Sequence, residues 1–241
     1  YAIQGHGQKA LSLYHKMLQD GILPNDVIFL CLMKACCNVS FIRQGKIIHD
    51  QLLRYGFGFE LTIGSALVDM YIKCGLLGEA REVFENLSFR NVVTYTALIT
   101  GYSQLGESGI VFDFLDRMII EGIKPNSVTF ISILGVCCHE GLVEKGEVLF
   151  HAMCEIHRIN PSPQHLTCMV DLLCRAGQIE EAVRVIEEMK FLLLVPDVVL
   201  WHTVLGACQK WQANVEIARH AFEHALHLDH CNSATYVSMS N

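Results

Sequence analysis

Gly21-Ile22-Leu23-Pro24-Asn25 returns as Gly122-Ile123-Lys124-Pro125-Asn126, with Met17 and Met118 standing at the same distance ahead, so 101 residues separate the copies. A second echo sets Asp69-Met70-Tyr71-Ile72-Lys73-Cys74-Gly75 with Glu79-Ala80 against Asp171-Leu172-Leu173-Cys174-Arg175-Ala176-Gly177 with Glu181-Ala182, at a spacing of 102. Spacings near a hundred contain a shorter unit. Division at the proline boundaries and mid-repeat glycines gives blocks 26–60, 61–91, 92–126, 127–162, 163–197 and 198–232, of 35, 31, 35, 36, 35 and 35 residues. Residues 1–25 read as the last part of a further block, because Tyr1 falls on the phase of Tyr102, and 233–241 open another.

Within block 92–126 an apolar run from Val93 to Tyr102 meets Gly106, and an amphipathic run from about Gly109 to Ile120 stops at Gly122 and Pro125. Glycine ends a helix at little cost because it accepts positive φ, and proline cannot continue one. In block 163–197, Ile179, Ala182, Val183, Val185, Ile186 and Met189 recur at helical spacing, with Glu180, Glu181, Arg184, Glu187 and Glu188 between them. Each block therefore reads as a helix hairpin. One hairpin cannot bury its apolar stripe alone, so neighbours must stack. The expected fold is all-α, an α-solenoid of helix-turn-helix repeats wound as a right-handed superhelix with a groove.

The chain of 241 residues is 51% hydrophobic with mean hydropathy +0.32, and its charged fraction of 18% and five prolines argue against disorder. Gly, Lys or Asp interrupts each apolar stretch within about 18 residues, so no membrane span is expected. A chain beginning mid-repeat would have lost any leader, so the start at Tyr1 is uninformative.

Eleven cysteines raise the question of metal or disulfides. Their phases answer it, because Cys36, Cys137 and Cys208 are eleventh in their blocks and Cys37, Cys138 and Cys174 twelfth, as small core residues near the end of a first helix would be. No C-x-x-C occurs, so structural thiols in a reducing compartment are expected, and no metal or cofactor. The net charge of −7 opposes nucleic-acid binding unless the charge is segregated. A solenoid does segregate it, since Glu79, Glu82, Glu180, Glu187 and Glu188 on second helices can lie outside a neutral or basic groove. Lys73 and Arg175 share the thirteenth position, where they serve either as phosphate contacts or as helix-terminal cations favoured by the dipole.

The stretch Val92-Val93-Thr94-Tyr95-Thr96-Ala97-Leu98-Ile99-Thr100-Gly101-Tyr102, closed by Glu121-Gly122-Ile123-Lys124-Pro125-Asn126, resembles the standard motif of the pentatricopeptide repeat proteins. The long block 26–60 ending near Gly56-Phe57 and the short block 61–91 with Ala66 to Gly75, followed by a standard block, are similar to the plant PLS subclass. Leu200-Trp201-His202-Thr203-Val204-Leu205-Gly206-Ala207-Cys208 in block 198–232, with Tyr236 to Asn241 beyond it, is similar to the E-type motifs of RNA-editing factors. The resemblance implies sequence-specific binding of single-stranded RNA in a mitochondrion or chloroplast, specifying a cytidine for conversion to uridine. It implies no DNA and no membrane partner, and a deaminase that follows the chain or acts in trans.

In that family the fifth and last residues of each repeat meet one base, and successive repeats run 5′ to 3′. The resemblance then implies adenine for Ser65 with Asn91 and for Thr96 with Asn126, and guanine for Thr167 with Asp197. A carboxylate only accepts, which suits guanine N1–H and N2–H and repels the adenine N1 lone pair, whereas an amide both donates and accepts. Leu30 with Glu60, and Ile131 with Ser162, depart from the code and read as spacers. Asn25 is a last residue whose partner precedes Tyr1, and His202 and Asn232 occupy the same phases of the E-like block. The register is 5′-A-A-any-G-3′ under residues 61–197, each polar pair discriminating by about 1 to 3 kcal/mol. Val93 and Val128 at the second position are implied to sandwich bases, with Thr62 and Gln164 less suited at the same phase.

The zinc-binding H-x-E and C-x-x-C of a nucleobase deaminase do not occur, nor does a P-loop or G-x-S-x-G, so the chain reads as a recognition module and not an enzyme. His220, His224 and His227, followed by His230 and Cys231, have a spacing that suits a transition metal or a polar face turned to solvent. The alternative to RNA recognition is a peptide-binding scaffold of the tetratricopeptide type, whose helix pairs are similar.

Overall fold

The repeated Gly-Ile-x-Pro-Asn pentapeptide is a stop followed by a start. In the computed structural model, which describes residues 7–37, 42–57, 61–191, 198–211 and 215–228, α1 (Gly7–Gln19) ends just ahead of Gly21, whose φ is +74°. The Gly21 N–H bonds the Leu18 carbonyl and the Ile22 N–H bonds the Met17 carbonyl, both at 3.1 Å. These two bonds satisfy carbonyls that the helix leaves open, in a conformation costly for any residue with a Cβ. Pro24 is buried, and Asn25 then takes an extended conformation and caps α2 (Asp26–Cys36), its Oδ1 accepting the Ile28 N–H at 3.0 Å. Gly122 repeats the stop with φ +73° and bonds of 2.9 Å from Gly122 to Ile119 and from Ile123 to Met118. Asn126 repeats the start.

The remaining helices are α3 (Ile42–Arg54), α4 (Leu61–Lys73), α5 (Leu77–Glu85), α6 (Val92–Gln104), α7 (Ser108–Ile120), α8 (Ser127–Glu140), α9 (Val143–Glu155), α10 (Pro163–Arg175), α11 (Ile179–Phe191), α12 (Val198–Trp211) and α13 (Val215–Leu228). No strand occurs among the described residues, and the fold is an all-α helical-repeat solenoid. No described helix is long and apolar enough to cross a membrane. Tyr1, Glu60, Asp197, His230, Cys231, Asn232 and the segment 233–241 lie outside the described residues.

Two compact units divide the chain near Lys124 and Pro125. In the first, α2, α4 and α6 pack side by side, with α3 and α5 each bridging successive members of the row. Its core includes Phe29, Met33, Leu67, Met70 and Leu98, and an aromatic knot in which Phe84 meets Tyr95 edge-on at 4.8 Å and Phe114 at 5.5 Å. Burying one such ring stabilises by about 1.5 to 3 kcal/mol. Arg117 of α7 forks onto Glu85 of α5 at 2.7 and 2.9 Å, which holds the Glu85 carboxyl below its ordinary pKa, and Lys46 of α3 reaches Glu79 of α5 at 2.7 Å. In the second unit α8, α10 and α12 form the row and α9, α11 and α13 pack beside it, around Trp201, Val170, Leu173 and Ile186.

Glycine also sets how closely these helices approach. A Cβ on Gly146 of α9 would stand 2.4 Å from a methyl of Leu172, a residue of α10 with no exposed surface. A Cβ on Gly135 of α8 would meet nothing within 4 Å. Alanine favours a helix over glycine by about 1 kcal/mol, whereas overpacking a core costs about 1 to 3 kcal/mol. Urea denaturation should therefore show Gly135→Ala more stable than the parent by about 0.5 to 1 kcal/mol and Gly146→Ala less stable by a similar amount. A stabilised Gly146→Ala would contradict this packing.

Candidate nucleic-acid interface

The opening turn of each first helix carries residues that core packing does not explain. Val27 and Val93 in the first unit, and Val128 and Val199 in the second, are second in their helices and all more than half exposed. Thr62 and Gln164 hold the same position on α4 and α10 and are also exposed. Within each unit these residues head successive, directly packed first helices. An aliphatic side chain left open beside such a row offers a surface for a flat apolar partner.

The fifth residues vary in access. Ser65 is half-buried, Thr167 exposed, and Thr96 only 7% exposed, next to the fully buried Tyr95. Leu30 and Ile131 are half-buried and bring no polar side-chain atom. The Ser65 hydroxyl donates to the Leu61 carbonyl, and Thr167 Oγ1 donates to the Pro163 carbonyl at 2.9 Å. A hydroxyl has one proton, so these bonds leave each oxygen as an acceptor.

Among the described residues, the last positions are helix N-caps. Asn91, with φ −137° and ψ 176°, caps α6 through Oδ1, which accepts the Thr94 N–H at 3.0 Å. The Thr94 hydroxyl reciprocates, accepting the Asn91 N–H at 3.1 Å and donating to the Asn91 carbonyl at 3.0 Å. Asn126 caps α8 in the same way, its Oδ1 accepting from the Thr129 N–H at 2.9 Å and the Thr129 hydroxyl at 3.0 Å. An N–H can only be met by an acceptor, so the cap chooses between the two flips of each amide: oxygen toward the helix, NH2 away from it. The NH2 groups make no hydrogen bond among the described residues.

Ser162 begins α10 with a different partner. His165, with no exposed surface, accepts the Ser162 N–H on Nδ1 at 3.0 Å, and its Nε2 lies 3.0 Å from the Ser127 carbonyl on α8. With Nδ1 accepting, Nε2 must carry the proton and donate, so the neutral ring ties two first helices together. The Thr94, Thr129 and His165 partners are not among the residues the sequence reading singles out, although the capping spacing of Asn91-Val92-Val93-Thr94 and Asn126-Ser127-Val128-Thr129 is visible in it.

Lys73 and Arg175 end α4 and α10, and each is paired with the acid one turn before: Lys73 with Asp69 at 2.7 Å, Arg175 with Asp171 at 3.1 Å. Each site is thus a neutral pair, with the cation about half exposed. Asp171 also accepts from the Cys138 thiol at 2.8 Å. Burial pushes Cys36 and Cys138 up to about 12 and Cys137 up to about 11, which removes them as nucleophiles. The described histidines of α13 differ from both readings of their spacing. His224 stacks on Trp201 of α12 with centroids 4.5 Å apart, His220 meets the same ring edge-on and lies 3.4 Å from Glu187, and only His227 is exposed. Their i, i+4 spacing serves the α12–α13 contact, and no metal-competent group occurs among the described residues.

Models of the PPR repeat family match residues 90–139, and models of the PPR repeat match 158–190 as well as 1–22, 65–92 and 128–157. The chain belongs to the pentatricopeptide repeat family. It is 41% identical over 227 residues to a mitochondrial pentatricopeptide repeat-containing protein of Arabidopsis thaliana, covering 94% of this chain and 29% of that protein. It is 36% identical over 243 residues to the chloroplastic CRR2 of the same plant, covering all of this chain and 36% of that protein. The chain thus spans about a third of the length of the curated relatives it matches. Maize PPR10 superposes with a TM-score of 0.85 at 20% identity, over 99% of this chain and 34% of that one. The same protein in complex with an 18-nt psaJ RNA element gives 0.79 at 19% identity, over 99% and 35%.

The buried His165 yields a pH dependence. Desolvation lowers its pKa from the ordinary 6.5, against a smaller opposing effect of the Ser127 carbonyl. The unfolded chain therefore takes up the proton first, and stability present above pH 6.5 is lost as the pH falls toward the folded value, by at most about 1.4 kcal/mol per pH unit. His49, also lowered by burial, acts in the same direction. Urea midpoints should drop between about pH 7 and pH 5, and His165→Asn should flatten part of that drop. An unchanged slope in the variant would contradict the assignment.

Proposed function

We propose that this chain is a recognition module for single-stranded RNA, meeting one base per repeat. The observation that carries the reading is the polarity of the groups on two adjacent first helices, α4 and α6. The Ser65 oxygen, its proton spent on Leu61, is an acceptor, and the Asn91 NH2, its oxygen spent on Thr94, is a donor. An acceptor with a donor complements the Watson–Crick edge of adenine, where N6–H donates and N1 accepts. Guanine carries N1–H where adenine has the N1 lone pair, so it meets the Asn91 NH2 donor against donor and is repelled there.

In this reading Thr96 with Asn126 meets the following adenine and Thr167 with Asp197 a guanine, giving 5′-A-A-N-G-3′ under residues 61–197. Leu30 with Glu60 and Ile131 with Ser162 act as spacers, and Val93 and Val128 sandwich bases. Asn25 serves the repeat that begins before Tyr1. Lys73 and Arg175 contact phosphates by exchanging their aspartate partners. The names of the plant relatives support an organellar site of action, mitochondrion or chloroplast. The PLS-like block lengths and the E-like segment support a role in specifying cytidines for editing, with the deaminase following this chain or acting in trans. Base-edge donors and acceptors at the caps favour RNA over the peptide-scaffold alternative.

Asn and Asp cap helices equally well, so Asn91→Asp keeps the fold while replacing the free donor by an acceptor. Gel shifts with oligonucleotides varied only at the first adenine should show preference moving from A to G by roughly fivefold or more. A retained preference for A overturns the base reading. For the phosphates, the double variant Lys73→Gln, Arg175→Gln should weaken all RNAs alike and lower the salt slope by about 0.7 for each phosphate no longer neutralised. An unaltered slope removes both residues from the interface.

A further inference from the structure

Thr94 occupies a position that neither faces the proposed RNA nor fills the core as a hydrophobic residue. It is 1% exposed, and it touches Asn91 three times: its N–H holds Oδ1 at 3.0 Å, and its hydroxyl bridges the Asn91 N–H at 3.1 Å and carbonyl at 3.0 Å. The same residue type stands at the same phase in α8, where Thr129, with no exposed surface, holds the Asn126 N–H at 3.2 Å and its Oδ1 twice. Where the third helical residue is Ile28, the Asn25 side chain accepts the backbone N–H alone among the described residues.

We propose that Thr94 and Thr129 are specificity-positioning residues, which fix the backbone and the amide flip of Asn91 and Asn126 so that only NH2 is offered to the base. The inference rests on the base reading above. An asparagine amide has two faces of nearly equal shape and opposite polarity. Free to rotate, it would satisfy adenine through NH2 and guanine through its oxygen, and would discriminate poorly. The threonine removes that freedom. The backbone N–H, which Ile28 also supplies to Asn25, rejects the flipped amide because two donors would then face each other; what threonine adds is a hydroxyl that locks the extended backbone from which the amide projects and, at Thr129, donates to Oδ1 as well. Thr94 touches no base itself and acts through Asn91.

The test is the ratio of affinities for A and G at the first adenine of 5′-A-A-N-G-3′, measured with the whole chain. Thr94→Val keeps the volume and the backbone N–H but loses the hydroxyl, and Thr94→Ser restores it. The A-to-G ratio should fall by about threefold or more in Thr94→Val and return in Thr94→Ser, a threshold set below the roughly fivefold or more of a whole base contact because Thr94 acts through Asn91. An equal loss of affinity for both bases, with the ratio unchanged, would mean a purely structural role and overturn the proposal. The pair Thr129→Val and Thr129→Ser, read at the second adenine, gives an independent determination should Thr94→Val not fold. Asn91→Asp separates the two layers. If it shifts preference to G while Thr94→Val leaves the ratio intact, positioning alone fails, and if it shifts nothing, the base reading fails.

Discussion

Every first helix of this chain has to begin where something can accept its first free N–H groups, and the rest of the arrangement follows from that requirement. Asn25, Asn91 and Asn126 meet it with a side-chain oxygen that accepts the N–H three residues on, and at the start of α10 the His165 ring accepts the N–H of Ser162. A cap stabilises a helix by about 1 kcal/mol, less than the burial of a single core ring, yet it fixes the residue at which the hairpin starts. Because the cap sits at the mouth of the helix, one half of its amide is committed to the helix and the other faces out. In the proposed reading, folding and recognition therefore draw on opposite ends of the same side chain.

Charge has a subordinate part. The net charge of −7 is carried in part by second helices, where Glu79 and Glu85 bind neighbouring helices through Lys46 and Arg117, and Glu82, Glu180, Glu187 and Glu188 are exposed. At the ends of first helices Asp69 and Asp171 neutralise the two cations the sequence singles out. With these two cations neutralised, binding in the proposed reading draws on hydrogen-bond polarity and on the open aliphatic residues, Val27 and Val93 in one unit and Val128 and Val199 in the other. That balance favours discrimination between bases over bulk affinity for phosphate.

The helices were legible because glycine and proline act locally. Gly21 and Gly122 had to be stops whatever surrounded them, and the runs from Val93 and from Gly109 lie within α6 and α7 as the apolar spacing required. The buried Cys36, Cys137 and Cys208 were readable from their shared phase, since a repeated position has one environment. What escaped was partnership. Nothing in the spacing of His220 and His224 says that Trp201 lies beneath them, and the link from His165 to Ser127 joins residues 38 apart in the chain. The acid beside Lys73 and Arg175 was visible at i−4 but carries meaning only once the helix is known. The access of Thr96, 7% against the open Thr167, depends on tertiary neighbours that a repeat phase cannot supply.

The central claim concerns one atom pair, the Asn91 NH2 and adenine N1, and atomic substitution in the RNA addresses it without altering the protein. Binding of the parent chain to 5′-A-A-N-G-3′ is measured with 1-deazaadenine at the first position, where a C–H replaces N1, and with 7-deazaadenine as the control on the opposite edge. The account predicts a loss of about fivefold or more for the 1-deaza base and no change for the 7-deaza base. Equal affinity for adenine and 1-deazaadenine would contradict it.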